Sequence, residues 1–420
     1  MTVPSGSSTG PAAEQSQHAL PGTLFYAPRA RLLDDVSGQP ILVGQRPVHA
    51  DLISTRVTQT HNGVSQLSLT LNNQRHEAAS PYKPQTPTWL YNDFELLSFG
   101  QVIRVELAYG EAPWITMIVA RITDMSFSFP SAGGSQVTLR GEDMLSLLTI
   151  KPEEDKRYGS NSSPPAKEMD MVRDVLTRSA AGFAPPTGPA PFPESLRTLT
   201  HQKSQTYLQF IQSLAERMDY EIFIDPEDPS TLHFEPSRSM VLGGLVDLTW
   251  NKDLVDFKPT FKGWQVYTKA VGEGRSRSRR AAINELVTAD EIDDDLHTAP
   301  GGATPINAVT ARNQYFVNDN SPDDNKVSIS ITNLDAARVR AKAIGELRKS
   351  AREFLTAEAT TLGFTSLKPG MHVNIKQLKA PFDGIYYVTK VVHTLDSNGY
   401  KTMCSLRRPG MLEPDLYPAS

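Results

Sequence analysis

The nine histidines of this 420-residue chain are scattered singly. None belongs to an HExxH pair, and there is no GxGxxG after a strand, no GxxxxGK[ST] and no GxSxG at a predicted strand-to-helix turn. His393 falls on a predicted strand and His233 on a predicted hairpin; with no second ligand at metal spacing, each is read as a packing or surface residue. The acidic runs Asp290–Asp295 and Asp319–Asp324 lack the glycine and closing glutamate of a calcium loop, so they read as solvated loops. Glu153 and Glu154 are adjacent in a polar loop, whereas glycoside hydrolysis needs two carboxyls flanking a cleft. The single Cys404 can form neither an internal disulfide nor a cysteine metal site, which suggests a reducing compartment. The expectation is no enzyme, with no catalytic, cofactor-binding or metal residues and no cofactor.

The basic cluster Arg275, Arg277, Arg279 and Arg280 is the remaining candidate, because guanidinium groups bind phosphate well. No aromatic residue interleaves it and an acidic run follows, so a subunit contact or a solvated loop is preferred over nucleic acid. The whole chain carries 42 Lys plus Arg against 47 Asp plus Glu, a net charge of −5, which disfavours a dedicated nucleic-acid protein. With 39% apolar and 21% charged residues most of it can bury a core, in roughly two to four domains. The start, MTVPSGSSTGPAAEQSQ, has no basic and apolar signal-peptide pattern, and no apolar run approaches the ~18 residues of a membrane span. Neither export by a signal peptide nor a membrane-spanning segment is expected.

The elements that position these residues are mostly strands. Residues 1–23, rich in Ser, Gly, Pro and Ala, read as an extended arm, either a disordered tail or one ordered on a neighbouring subunit. Residues 24–150 alternate at period two over Asp51–Gln59, Gln66–Leu71, Gln101–Leu107, Trp114–Ile122 and Ser135–Arg140, with His61-Asn62-Gly63 as a hairpin turn. They predict a first antiparallel β domain, with Trp114, and later Trp250 and Trp264, packing in or beside strands. Residues 151–256 predict an inserted α+β region. It has a helix at Lys167–Arg178, a rigid loop with five prolines at Ala184–Glu194, and a helix at Thr206–Met218 capped by Ser204. Strands at Glu221–Ile224 and Thr231–Phe234 follow.

Residues 257–412 return to strands: Gly263–Val271, a polar insertion at about 272–325, Lys326–Thr332, a helix from Leu334 to about Leu355 opened by Asn333, and three closing strands. Residues 413–420 form a short tail. Within this order one segment repeats another. Phe94–Gly100 corresponds to Phe364–Gly370, and Ile103 and Val105 to Val373 and Ile375. Val119, Arg121 and Ile122 then match Val388, Lys390 and Val391; Val137, Leu139 and Arg140 match Cys404, Leu406 and Arg407; Met144-Leu145 match Met411-Leu412. The preferred fold class is therefore α+β and β-rich, with two related antiparallel β domains separated by a small α+β region. Three such chains would present six similar faces, letting a threefold object meet a sixfold one. Exposed strand edges, which only neighbours can pair, are where function is expected.

Ser204–Ile224 (SQTYLQFIQSLAERMDYEIFI) and Phe364–Arg408, with Gly370, Gly384–Val388, His393 and Gly399–Thr402, resemble the baseplate hub proteins of contractile-tailed phages. This is the late control protein D family, whose fold also forms the hub part of VgrG spikes. The resemblance implies tail-tube-like β-barrel or sandwich domains and a homotrimer serving as symmetry adaptor between a sixfold tail tube and a threefold central spike. Implied partners are the tail tube protein ring, a spike on a separate polypeptide, other inner baseplate proteins and the tape measure. Genome DNA would only pass through the central channel at ejection, past a lumen that the −5 charge makes weakly attractive or repelling. The implied location is the virion tail baseplate, with assembly of this late protein in the host cytoplasm. A non-phage contractile injection system is the alternative in the same fold. A peptidoglycan hydrolase is the alternative in another class, disfavoured because the length leaves no room for a fused lysozyme domain.

Overall fold

The computed structural model describes residues 27–75, 88–159, 166–186, 199–218, 220–236, 245–275, 282–288, 305–316, 326–332 and 336–413. The N-terminal arm, nearly all of the C-terminal tail, most of the proline-rich loop and the Asn333 cap lie outside these residues. The protein is β-rich and α+β, built on one twelve-stranded, largely antiparallel sheet.

The first part of the sheet contains β1 (Pro28–Asp34), β2 (Leu52–Thr60), β3 (Gln66–Asn72), β4 (Val102–Tyr109), β5 (Ile115–Ser128) and β6 (Gln136–Asp143). Their spatial order is β1-β4-β5-β6-β3-β2. The β2–β3 hairpin turns at Asn62, whose φ of 59° is the left-handed conformation that asparagine tolerates. Alternating Leu67, Leu69 and Leu71 of β3 point into a core shared with Val105, Ile122 and Leu139, because successive strand residues face opposite sides.

A helical layer follows, with α1 (Glu168–Ser179), α2 (Tyr207–Met218) and the hairpin β7 (Tyr220–Asp225) and β8 (Asp228–Pro236). Phe210, Ile211 and Leu214 of α2 pack with Val172 and Leu176 of α1 in a second core. The cap of α2 differs from the expected Ser204. Thr206 Oγ1 accepts from Gln209 N (3.1 Å) while Thr206 N donates to Gln209 Oε1 (2.9 Å), a reciprocal capping box that the side chain of Ser204 does not make.

The last part contains β9 (Leu245–Thr249), β10 (Leu254–Phe261), β11 (Lys269–Arg275), β12 (Ala282–Thr288), β13 (Lys326–Thr332), α3 (Ala336–Arg352), β14 (Leu355–Leu362), β15 (His372–Lys376), β16 (Gly384–Asp396) and β17 (Gly399–Arg408). Two local expectations change here. Gly263–Val271 is not one strand: Gly263–Gln265 forms a 3-10 turn and the strand starts at Lys269. The polar stretch that follows is not all loop, because β11 pairs with β12 and, in parallel, with β13 in a separate three-stranded sheet under α3. Gly272 leaves room for Val339 of α3, which an added Cβ would strike. The remaining strands follow the order β9-β15-β16-β17-β14-β10, and β2 joins β16 so that both parts share one sheet.

Apart from their outermost pairs, β1–β4 antiparallel and β9–β15 parallel, these two six-strand orders carry the same hydrogen-bond registers. Gly100 N donates to Ile122 O (2.9 Å), and Gly370 N to Val388 O (2.8 Å); both glycines have positive φ, 81° and 85°. Val102 faces Arg121 as His372 faces Tyr387. The β5–β6 register breaks after Ile122↔Gly141, and the β16–β17 register after Val388↔Leu406. The β2–β3 ladder is bulged at Ile53 and the β10–β14 ladder at Val255. The ladders therefore equate Ile122 with Val388 and Leu139 with Cys404, correcting the alignment of Val119 with Val388 and of Leu139 with Leu406. The match of Gly100, Ile103 and Val105 to Gly370, Val373 and Ile375 keeps its register. The slip arises because the span Ile375–Gly384 is shorter than its equivalent Val105–Ile118, and side-chain types in alternating strands do not distinguish neighbouring registers.

Candidate assembly interface

The chain contains one complete seam between its two ladders. Strand β2 pairs β16 from Thr60↔Lys390 to Thr55↔Leu395, burying Val57 and Gln59 against Val391 and His393. Tyr109 of the first part donates its hydroxyl to Gly363 O (2.6 Å), and Tyr400 of the last part enters the core of the first. His393 lies inside this seam. Its Nε2 faces the Leu367 carbonyl at 3.1 Å, which makes that nitrogen the N–H donor and leaves Nδ1 to accept from the Tyr400 hydroxyl at 2.8 Å. Complete burial pushes its pKa down to about 3, so the imidazole is neutral.

A second junction ties the helical layer to both ladders. Glu221 on β7 accepts from His61 Nδ1 (2.8 Å), at the β2–β3 turn, and from Arg407 on β17 (3.1 Å). The Tyr387 hydroxyl of β16 donates to the same carboxylate. Burial opposes ionisation of Glu221, but these hydrogen bonds, the one from His61 foremost, and the Arg407 charge outweigh it and hold the carboxyl below its ordinary range. Burial and the neighbouring carboxylate push the Tyr387 phenol up.

Beside this junction lies a cavity of about 450 Å³, lined by His61, Met117, Phe223, Asp143, Lys368 and Met371 among others. Two of its charged groups are already committed. Lys368 Nζ is 3.3 Å from Asp225, and Asp143 accepts from the Ser65 and Leu145 amides at 2.8 and 3.0 Å. Burial raises Asp143 to about 6 in spite of those bonds. Among the described residues no three His, Cys, Asp or Glu side chains converge as metal ligands.

The other residues singled out in the sequence are dispersed. His233 stacks on Phe223 (4.6 Å) and lies 3.2 Å from Glu235 on its own strand. Glu153 and Glu154 are exposed. Cys404 is buried in the core, and burial pushes its thiol up to about 12. Trp114 packs under Arg29 and Arg31, and Trp250 lies against the last core. Arg275 ends β11; its side chain, that of Trp264, and Arg277, Arg279, Arg280, Asp290–Asp295 and Asp319–Asp324 lie outside the described residues.

Among the sheet edges left open in the pairing of the described residues are two at β5 and β10. The distal half of β5, from Asp124 on, pairs only with β6, and β10 ends the sheet order beside β14. Beside the first edge stands an exposed aromatic cluster. Trp89 meets Phe129 edge-on (5.0 Å), Phe127 stacks on Phe129 (6.3 Å), and Phe94 contacts both Phe127 (5.9 Å) and Phe99 (6.2 Å). Phe99 and Phe129 are 62% and 52% exposed, unusual for adjoining large apolar rings. The sequence reading ended this strand at Ile122; the alternation Met125-Ser126-Phe127-Ser128-Phe129 was the signal that it continues.

No protein-family model matches the chain, and no curated protein matches it in sequence. Its fold does have solved counterparts. The 43 kDa tail protein of prophage MuSo2 from Shewanella oneidensis superposes with a TM-score of 0.59 at 14% identity, over 91% of this chain and 99% of that one. The tail protein from Neisseria meningitidis MC58 superposes with a TM-score of 0.60 at 11% identity, over 94% and 100%. Two ladders joined at one seam, with a helical layer between them in sequence, form a fold that this chain shares with these two tail proteins over nearly its whole length.

Proposed function

We propose that the chain is a non-enzymatic structural hub of a contractile phage tail baseplate. It acts as a homotrimer, adapting a sixfold tail tube to a threefold central spike and surrounding part of the central channel. The fold shared with the two tail proteins supports a tail role, and the duplicated ladders carry the adaptor reading. Two faces per chain with the same hydrogen-bond register give a trimer six similar positions. The working parts are a first tube-like β domain at 24–150, an α+β region at 151–256 and a second tube-like domain at 257–412. Partners in this reading are the tube ring on one side and a spike protein on the other, with the tape measure and inner baseplate proteins nearby. DNA passes without being held, and the place of action is the virion tail.

Native mass measurement of the purified chain and imaging of the particle test this directly. The expected result is a trimer at the tube–spike junction. A stable monomer in both the free and the assembled state would remove the proposal.

A further inference from the structure

The seam inside the chain is a template for one between chains. In the last ladder, β16 continues past its β15 partner and its distal edge, Lys390–Leu395, is covered by β2 of the first ladder. In the first ladder, β5 likewise continues past β4, and the equivalent edge, Asp124–Phe129, has no covering strand among the described residues. The counterpart of β2 is β10, which shares its bulge position and whose outer side β2 would use to reach β16. One chain thus carries both halves of a second seam at separate places, unable to pair with each other as β2 and β16 do.

We propose that β10 of one copy adds to the distal edge of β5 of the next copy, in the register of the β2–β16 seam. Carrying each pair over through the two ladders sets Lys262 opposite Asp124, Thr260 opposite Ser126 and Lys258 opposite Ser128 on one face. On the other face it sets Phe261 opposite Met125, Pro259 opposite Phe127 and Phe257 opposite Phe129. This register places polar side chains against polar and apolar against apolar at all six positions, with one opposite-charge pair. A slip by one residue would set lysine and threonine against phenylalanine, the mismatch that fixes strand register. The equivalents of the exposed cluster support the same occupant: Phe127, Phe129 and Phe94 correspond to His393, Leu395 and Phe364. Phe364 and His393 are 6% and 1% exposed, and Leu395 packs on the first core.

The hydrogen-bond parity agrees. Lys262 N and Leu362 N bond across the β10–β14 ladder, so Asp256, Lys258 and Thr260 point inward to β14 and Pro259 points outward. Proline, which has no N–H, is tolerated on such an edge. Pro259 can accept from Phe127 N–H but not donate back, so the seam is one hydrogen bond short of its template. The inference rests on the threefold hub reading for its closure: a heterologous contact repeated three times makes a ring, and otherwise an open filament.

Disulfide trapping in the full-length chain tests the register. Ser126 and Thr260 form a non-hydrogen-bonded pair, where Cα atoms lie about 4.5 Å apart and a disulfide fits. Oxidised S126C/T260C should give covalent species of up to three chains, with the buried Cys404 as a bystander. The S126C/K258C control, two residues out of register, should cross-link at least tenfold less. Phe129→Asp should weaken association at least tenfold with the circular dichroism of the chain unchanged. A native trimer without S126C/T260C cross-links overturns this seam and leaves the hub reading standing. A monomer overturns both, and cross-linked chains longer than three keep the seam while removing threefold closure.

Discussion

Thr123 and Thr389 occupy the same place in two ladders. Each is the unpaired residue where its strand's register shifts, and each turns its hydroxyl to the carbonyl across the bulge, Arg140 O at 3.4 Å and Ser405 O at 3.0 Å. A bulge sharpens the local twist and re-aims the strand beyond it. Here the strand beyond the bulge forms the seam edge in both cases, covered by β2 after Thr389 and open after Thr123.

Gly363 marks the tightest point of the internal seam. A Cβ there would collide with the Tyr400 ring and the Tyr109 hydroxyl, both buried. Gly363→Ala should lower stability by about 3 kcal/mol, at the upper end of overpacking costs. A thermal midpoint within one degree of the parent chain would contradict this placement of the two tyrosines.

Glu221→Gln should cost about 3 kcal/mol, because it leaves Arg407, largely buried, with only the more distant Glu353 at 3.9 Å as a charge partner. The pH dependence has a definite sign. The Glu221 pKa is lower folded than unfolded, so its contribution is present above the unfolded value of about 4.3 and is lost as pH falls through the folded pKa. Denaturant unfolding from pH 7 downward should therefore show a shallower acid loss in the variant than in the parent below that value.

His393 gives a second acid window. Its folded pKa of about 3 lies below the unfolded value near 6.5, so the unfolded chain binds a proton that the folded chain refuses. Stability should fall as pH drops from about 6.5 toward 3, on the order of 1.4 kcal/mol per unit from this residue alone. His393→Gln keeps a donor and an acceptor but cannot titrate, and its stability should lose that slope. An unchanged slope would place the charge change elsewhere.

Gly100 and Gly370 share a backbone conformation but not a setting, the first being exposed and the second buried. Both hold positive φ while donating to the strand that precedes a bulge, and an added Cβ at Gly100 meets nothing within 4 Å. Gly100→Ala should therefore cost only the conformational term, about 1 kcal/mol, measurable by chemical denaturation. A cost of several kcal/mol would mean that Gly100 is buried against something else, such as a neighbouring copy.

Much of this fold was legible from local pattern. Period-two alternation placed β2, β3 and β4 within one or two residues and β6 within three, and the apolar stripe of Tyr207, Phe210, Ile211 and Leu214 placed α2, because these signals depend only on which side of an element faces the core. The repeat was visible through Gly100 and Gly370, whose backbone conformation leaves a glycine in the sequence. The sequence also left no catalytic constellation to pursue. Tertiary structure decided the rest. Which residue of β5 answers which of β16 is set by hydrogen bonds between strands, and neighbouring registers look alike in composition. The Glu221 junction joins residues 160 and 186 positions apart, His61 and Arg407, so no local signal could assemble it. Phe127 and Phe129 read in sequence as ordinary strand aromatics. Only the folded chain, where their counterparts His393 and Leu395 are covered, makes them an edge awaiting a partner.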